Sequence, residues 1–211
     1  VFAPGSRILY GAFPSAMDLR TMVLTMGSVE MGMMNAAAVE LAKLYQLPIY
    51  ASGGVTEAKT PDIQAGFEKN FSNLTVGMSR ADCVHLTAGM LDSCNSIALQ
   101  QYVIDNENIG MIKRILAGIR VDDETMALDV IRRVAPDGQY ATDPHTLQHM
   151  ADEFFYPTLT VRENYDSWEA KGRPTMLSRA CERAREILRG SRDEGLLDNE
   201  LIGKVEEKTG V

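Results

Sequence analysis

A polar loop that follows a short apolar strand carries the densest set of potentially reactive side chains in this sequence. The strand covers residues 48–51, and Pro61 then starts a helix at a position where its missing N–H has no cost. Strand, Gly-rich polar loop and helix, in this order, are how an α/β enzyme places chemistry at the carboxyl end of its sheet. An ordinary βα turn is the alternative interpretation. The loop residues concerned are Ser52, Gly53, Gly54, Thr56, Glu57 and Lys59.

His85 lies in a second strand-like run, residues 82–89. An imidazole near the end of a strand can donate a hydrogen bond to a substrate carboxylate. A core histidine with satisfied hydrogen bonds is the alternative, and the residues alone leave both interpretations open.

Lys59 allows a different chemistry, because a lysine at the mouth of a barrel can form a Schiff base with a carbonyl substrate. Glu57, two residues away, favours the charged ammonium and argues against that role. A solvated loop lysine is the alternative interpretation.

Four further acidic and histidine positions give weaker signals. His145 and His149 share one helix face, but the sequence offers no third ligand, so we predict no metal site. Asp105 and Glu107 lie midway along a predicted helix, where a surface position and a role at the site are both open.

The composition restricts the class of protein. The chain has 211 residues, 45% hydrophobic and 24% charged, which is typical of a globular protein with a substantial core. No apolar run approaches the ~20 residues of a membrane span, and a net charge of −8 argues against a nucleic-acid surface. An odd count of three cysteines without metal spacing indicates reduced thiols and a cytoplasmic protein. The chain has no signal peptide and no initiator Met, so we expect it to begin inside a longer protein.

Strands and helices alternate along the chain. We predict strands at 7–10, 48–51 and 82–89, with helices from Ser28, from Pro61 to about Arg80 and from about Ser93 to Ala117, and a polar helical tail after His145. Such alternation predicts parallel βαβ units, either a small open sheet or the carboxyl half of a barrel.

Two helices carry apolar residues at helical spacing, and we expect these residues to face the core. In the helix from Ser28 they are Met31, Met34, Ala38, Leu41, Ala42 and Tyr45. In the helix from Pro61 they are Ile63, Phe67, Phe71, Leu74 and Met78.

Several separate segments, in the right order, resemble the trimethylamine methyltransferase family, which moves methyl groups from methylated amines to a corrinoid protein. These segments read GAFPSAMDLRT, LAKLYQLPIYASGGVTEAKTPDIQAGFEK and QQYVIDNENIGMIKRILAGIRVDDETMALDVIRRVAPDGQYATDPHT. The resemblance runs from about residue 8 to residue 170.

The resemblance implies an α/β fold of parallel (β/α) units, the carboxyl half of a (β/α)8 TIM-type barrel with a helical extension. We expect the half barrel over residues 1–160 and the extension over residues 161–211. It also implies a partner protein that carries cobalamin as the methyl acceptor, with no metal bound directly by this chain. Half a barrel exposes strand edges, so we expect a homo-oligomer.

The resemblance further implies a site at the barrel mouth. Trimethylamine enzymes carry pyrrolysine near the loop that here holds Lys59, whereas relatives without it act on quaternary amines such as glycine betaine. A quaternary ammonium is held best by aromatic faces. Of the candidate tyrosines, Tyr10 fits the inward alternation better than Tyr50. The residues implied are His85 and Lys59 for catalysis, and Tyr10, Phe13, Tyr50, Ser52 and Glu57 for binding substrate.

Three alternatives remain open at this stage. The first is a trimethylamine enzyme in which a pyrrolysine near position 59 is written as lysine. The second is an aldolase or lyase barrel that depends on Lys59. The third is a fragment without catalytic activity that binds a corrinoid protein.

Overall fold

A computed structural model describes residues 5–136 and 138–190, together with Leu201, Lys204, Glu207 and Lys208. Most of the predicted extension beyond residue 190 therefore lies outside the described residues. The strands are β1 (Tyr10–Gly11), β2 (Ala16–Asp18), β3 (Val23–Thr25), β4 (Ile49–Ser52), β5 (Cys83–His85), β6 (Met90–Leu91) and β7 (Ser96–Ile97). The helices are α1 (Val29–Leu44), α2 (Ile63–Met78), α3 (Leu99–Ala117), α4 (Asp123–Met126), α5 (Leu128–Val134), α6 (Pro144–Glu153), α7 (Tyr165–Ala170) and α8 (Met176–Gly190).

The central sheet has three strands in the order β1-β4-β5, and both pairings are parallel. Helix α1 connects β1 to β4, and α2 connects β4 to β5, so the predicted parallel βα units are confirmed. The described residues form this open sheet and no closed barrel. Two antiparallel hairpins, β2–β3 and β6–β7, were not predicted. Both follow the carboxyl ends of sheet strands, where they border the candidate site.

Local capping signals set the helix boundaries. The Ser28 hydroxyl accepts from the Met31 amide and begins α1, as the sequence predicts. Asp62 caps α2 by accepting from the Ala65 amide, so that helix begins two residues after Pro61. The expected start of α3 near Ser93 is wrong, because residues 92–94 have positive φ in the turn between β6 and β7.

The predicted core face of α2 is wrong. Ile63 and Phe67 are 76% and 71% exposed, whereas the buried residues of this helix include Lys69, Ser72 and Asn73. Small and polar side chains face inward because the loop after β4 packs against them and needs hydrogen-bond partners. Helix α1 follows its predicted pattern at Met31, Ala38 and Ala42, but Leu41 and Tyr45 are exposed and Asn35 is buried in their place.

The core lies between the sheet and these two helices. Ile49 and Ala51 point from β4 toward α1 and α2, where they contact Val39 and Val76. Tyr50 and Ser52, which alternate with them, therefore point to the opposite face of the sheet. None of the helices in the described part of the chain is long and apolar enough to cross a membrane.

The carboxyl-terminal segment is tied to α3 by a single buried carboxylate. Glu107 is 4% exposed and accepts from the backbone amides of Thr158, Leu159 and Thr160, at 2.6 to 2.8 Å. The hydroxyls of Thr158 and Thr160 also donate to it. Beyond this contact, α8 packs along α3 through Ala180 and Ala184. Glu107 is therefore not at the surface, and its hydrogen bonds give it a structural role in place of the role at the site that the sequence left open.

Burial alone would raise the pKa of Glu107, but the hydrogen bonds from Thr160 and the neighbouring amides outweigh it and lower the pKa. A carboxyl group with a lowered folded-state pKa stabilises the fold above its unfolded pKa, and this contribution disappears as the pH falls through the folded pKa.

We expect Glu107→Gln to lower the free energy of unfolding by roughly 2–4 kcal/mol, because an amide offers one acceptor oxygen to five donors. Urea denaturation at pH 7 measures this loss, and the difference from the wild type should shrink below the ordinary glutamate pKa of about 4.3 and vanish only below the lowered folded-state pKa. The matched control is Glu40→Gln, which removes an exposed ion pair with Lys43 and should cost less than about 1 kcal/mol. Equal losses in the two variants would contradict this account of the tail.

Candidate active site

Three aromatic rings meet at the carboxyl end of the parallel sheet. The imidazole of His85 stacks on the ring of Tyr50, with ring centroids 4.1 Å apart and planes 13° apart. The Phe13 ring lies 5.7 Å from His85 at 53°. Because Ser52 pairs in register with His85, and Tyr50 with Cys83, these side chains share the face of the sheet opposite α1 and α2. We call Phe13, Tyr50, Ser52 and His85 the aromatic cluster.

Ser52 links the cluster to the backbone of two neighbouring segments. Its side chain is fully buried, and its Oγ lies 2.5 Å from His85 Nε2 and 3.1 Å from the carbonyl oxygen of Ala12. The Ser52 amide donates to Asn35 Oδ1 at 3.1 Å, and the Asn35 amide group in turn donates to the carbonyls of Met31 and Pro14. These contacts fix the position of His85 relative to β1 and α1.

Burial lowers the pKa of His85, and no charged side chain contributes to this shift. This lowered pKa favours the neutral form of the imidazole near pH 7. A neutral imidazole between two aromatic rings forms a surface that can contact a cation or an apolar methyl group.

The loop between β4 and α2 is held by the buried polar face of α2. Gly54 donates its amide to Ser72 Oγ at 2.9 Å, and the Glu68 carboxylate accepts from the Thr56 hydroxyl and the Glu57 amide. Gly54 has a φ of +71°, and a Cβ there would lie 2.6 Å from Thr87 Cα. Only glycine fits this close approach of the loop to Thr87.

A buried ion pair lies beneath this loop. Lys69 Nζ is 3.1 Å from Asp105 Oδ2, with the two side chains only 1% and 2% exposed. The same ammonium donates to the carbonyls of Gly54 and Met90, and Asp105 accepts from the Gly89 amide and from Gln101. Burial lowers the pKa of Lys69 and raises that of Asp105, while their mutual attraction opposes both shifts. The pair joins the loop, the hairpin β6–β7 and α3.

Glu57, a predicted substrate ligand, is occupied by protein contacts. Its carboxylate accepts from the Met26 and Gly27 amides at 2.6 and 2.8 Å, and from the Ser93 hydroxyl at 2.6 Å. These contacts connect the loops that follow β3, β4 and β6. The geometry gives Glu57 the role of a clamp between loops at this edge of the sheet.

Lys59, a predicted catalytic residue, lies outside the aromatic cluster. Its side chain is 68% exposed, and its ammonium pairs with Asp92. A Schiff-base lysine has to present an unprotonated amine, whereas this ion pair is an arrangement suited to an ammonium. The structure therefore does not bring Lys59 and His85 together.

Tyr10 is the tyrosine preferred from the sequence, but the ring contacts of His85 are with Tyr50 and Phe13. Tyr10 pairs in register with Ile49, which belongs to the core, and lines a groove with Leu41 of α1 that Phe13 also lines. The expected ranking of the two tyrosines is therefore reversed, because Tyr50 stacks on His85 and Tyr10 faces the helix layer. Of the predicted residues, the structure joins Phe13, Tyr50, Ser52 and His85.

Asn35 and Lys69 support the site, but the sequence pattern did not predict either of them. For Asp105 it left a surface position and a role at the site open. One signal for Lys69 exists in the sequence: Ala65, Lys69, Ser72 and Val76 recur at spacings of three or four along α2. A stripe of small and polar residues at this period marks a second possible buried face. When burial is inferred from hydrophobicity alone, the apolar stripe on the other side of the helix is taken as the buried face instead.

His145 and His149 contact each other and Glu124 at a distance from the cluster. Their ring centroids are 4.4 Å apart, and His149 Nε2 is 3.2 Å from a Glu124 carboxylate oxygen. Among the residues that the structure describes, no three His, Cys, Asp or Glu side chains are arranged to hold a metal ion.

Comparison with known proteins gives consistent matches. The family model described as trimethylamine methyltransferase (MTTB) matches residues 1–205. A glycine betaine methyltransferase from Desulfitobacterium hafniense strain Y51 is 34% identical over 88% of this chain and 38% of its own length. Trimethylamine methyltransferases named MttB, from D. hafniense DCB-2 and Methanosarcina thermophila, are 33% and 34% identical over 98% and 89% of the chain. The chain spans about two fifths of the length of these relatives, from 38% to 42%.

We expect Lys69→Ala to lower the free energy of unfolding by roughly 3–5 kcal/mol, because it leaves Asp105 buried without its partner. Lys59→Ala is the matched control and should cost less than about 1 kcal/mol, since it removes an exposed pair. Chemical denaturation of both variants at pH 7 makes the comparison. A Lys69→Ala variant as stable as Lys59→Ala would show that the buried pair does not hold the loop.

Proposed function

The chain belongs to the trimethylamine methyltransferase family, and from this premise we propose that it forms the amine site of a corrinoid-dependent methyltransferase. The methyl donor we propose is a quaternary ammonium such as glycine betaine. The methyl acceptor we propose is the Co(I) form of a cobalamin carried by a partner protein.

The observation that carries this proposal is the aromatic cluster at the carboxyl edge of the sheet. Tyr50 and Phe13 flank His85 with ring centroids 4.1 and 5.7 Å from it. Aromatic faces bind a quaternary ammonium with ~0.5–2 kcal/mol each, depending on how far water is excluded. The aromatic cluster contains no acidic side chain, and the carboxylate of Glu57 already accepts hydrogen bonds from Met26, Gly27 and Ser93. The aromatic faces would therefore hold the cation without a carboxylate.

A quaternary ammonium suits a site built from binding groups alone. Its C–N bond breaks with both electrons going to nitrogen, so the amine leaves as a neutral molecule while the methyl group passes to the acceptor. No proton has to be moved and no covalent helper is required. The protein's contribution is to position the donor in line with the acceptor and to exclude water.

The second recognition group in our proposal is His85, which contacts the carboxylate of the donor. Charge-assisted hydrogen bonds to a carboxylate are short and about twice as strong as neutral ones. The contact would orient the ammonium group toward Tyr50 and Phe13. A donor with both an ammonium and a carboxylate would then be held at two points.

Lys59 bears on the choice between quaternary and tertiary amines. Its exposed ammonium pairs with Asp92, whereas His85 contacts Tyr50 and Phe13. This position supports a donor that reacts without assistance from residue 59. It also gives little support to the lyase alternative, which needs an unprotonated amine at the reacting carbon.

We expect the native gene product to transfer a methyl group from glycine betaine to reduced cobalamin. Loss of the Co(I) absorption band measures this transfer. His85→Gln should lower kcat/KM roughly 10- to 100-fold, because it removes a charge-assisted hydrogen bond to the carboxylate. His145→Gln is the matched control and should keep the wild-type rate, since His145 lies away from the cluster.

Transfer from trimethylamine but not from betaine would contradict the quaternary assignment. It would indicate a pyrrolysine, which the intact mass of the peptide containing residue 59 would reveal. A substrate trapped on Lys59 by borohydride would favour the lyase alternative. If the protein transfers a methyl group from neither amine but still binds a corrinoid protein, the alternative that it only binds that partner would be favoured.

A second variant tests the aromatic contact separately. Tyr50→Leu should raise the KM for betaine roughly 2- to 30-fold, which corresponds to the loss of one aromatic face. Tyr45→Leu is its control, because Tyr45 is exposed at the end of α1. Steady-state kinetics with both variants provides the measurement, and equal KM values would remove Tyr50 from the donor site.

A further inference from the structure

The hydroxyl of Ser52 has two neighbours and a single hydrogen. Its Oγ lies 3.1 Å from the carbonyl oxygen of Ala12 and 2.5 Å from His85 Nε2. A carbonyl oxygen can only accept, whereas a ring nitrogen donates or accepts according to its tautomer. Both contacts are hydrogen bonds in one arrangement only: Ser52 donates to Ala12, and His85 Nε2–H donates to Ser52.

The backbone around Ser52 favours this arrangement. The parallel ladder between β1 and β4 runs through the Ala12 amide, which donates to the Tyr50 carbonyl at 3.1 Å. The next bond of the ladder would run from the Ser52 amide to the Ala12 carbonyl, but that amide donates to Asn35 instead. Among the described residues, the Ser52 hydroxyl is the donor that reaches the Ala12 carbonyl in its place. Since Ala12 is buried, its carbonyl would otherwise lack a partner.

We propose that Ser52 is a positioning residue that holds neutral His85 as the Nε2–H tautomer, so that His85 takes up a proton at Nδ1 when a carboxylate binds. The first half of this inference stands on the hydrogen bonds of Ser52. The second half rests on the proposed function, in which the donor carries a carboxylate.

The second half follows from where the free lone pair lies. With Nε2 protonated, Nδ1 of neutral His85 is an acceptor. It has no hydrogen-bond partner in the part of the chain that the structure describes, and it is not among the buried polar atoms left without one. It is therefore not fully enclosed by the described residues. An acceptor repels a carboxylate, whereas Nδ1–H of the imidazolium donates to it.

The surroundings of His85 do not supply that proton. The titratable groups on its face are the phenol of Tyr50 on β4 and the thiol of Cys83 on β5 itself, and the neighbour beyond β1 is the uncharged ring of Phe13. Binding of a carboxylate therefore draws a proton from solvent. The affinity should rise about tenfold for each unit by which the pH falls, in the range between the pKa values of the free and the bound imidazole.

The tautomer is measured directly by 15N NMR of the imidazole nitrogens. The chain has three histidines, so comparison with His85→Gln assigns the signals of His85. Above the pKa, we expect a pyridine-type shift at Nδ1 and a pyrrole-type shift at Nε2. A pyrrole-type shift at Nδ1 in the wild type would overturn the first half of the proposal.

Variants of Ser52 show whether its hydroxyl sets the tautomer. Ser52→Ala should give a mixture of tautomers, and Ser52→Thr should restore the Nε2–H form because it keeps the hydroxyl. Ser72→Ala removes a buried hydroxyl from α2 that does not contact His85, and it should leave the tautomer unchanged. A Ser52→Ala spectrum identical to the wild type would contradict the role of Ser52.

Calorimetric titration with glycine betaine, in two buffers of different ionisation enthalpy, counts the protons taken up. One pH unit above the His85 pKa, we expect close to one proton per betaine in the wild type and clearly fewer in Ser52→Ala. Binding without proton uptake would overturn the second half of the proposal. Absence of betaine binding would overturn that half together with the proposed function, whereas the NMR result would still decide the tautomer.

Discussion

The ion pair between Lys69 and Asp105 is the interaction on which the rest of this structure depends. Removing two charges from water costs several kcal/mol per ion, and this cost is offset only when every donor and acceptor is satisfied. Here the ammonium bonds to the carbonyls of Gly54 and Met90, and the carboxylate bonds to the Gly89 amide. The pair therefore determines how the loop after β4, the hairpin β6–β7 and α3 come together.

Fixing that loop has consequences for the face of the sheet that carries the site. Strand β4 supplies Tyr50 and Ser52 just before the loop, and Gly54 can approach Thr87 so closely only because it lacks a Cβ. Hydrogen bonds to Glu57 hold the loops at the carboxyl edge together, and the hydrogen bond to Ser52 fixes the imidazole of His85. Tyr50, Ser52 and His85 thus lie on strands and Phe13 follows β1, while the polar residues most noticeable in the sequence hold the loops around them.

Local signals in the sequence were sufficient for the parallel units and for the cap of α1 at Ser28, which depends on residues within one turn. They failed where burial depends on tertiary partners. Lys69 is buried because the loop after β4 needs its hydrogen bonds, and the stripe of small and polar residues on α2 is only a weak local sign of that need. The two tyrosines show the same limit, since a strand position one residue away reverses the face on which a side chain lies. The register of β1 on β4 pairs Tyr10 with Ile49, whose side chain faces the helices. Tyr50, and not Tyr10, therefore contacts His85.

The central claim is that aromatic rings on this face recognise a positive charge. The most direct test compares the binding of glycine betaine with that of 3,3-dimethylbutanoate, which keeps the shape and the carboxylate but has carbon in place of the charged nitrogen. Isothermal titration of the native gene product gives both dissociation constants. If the rings of Tyr50 and Phe13 hold the cation, betaine should bind roughly tenfold or more tightly than the analogue with the uncharged tert-butyl group. Equal affinities would mean that the site reads shape and carboxylate only, and would contradict this account.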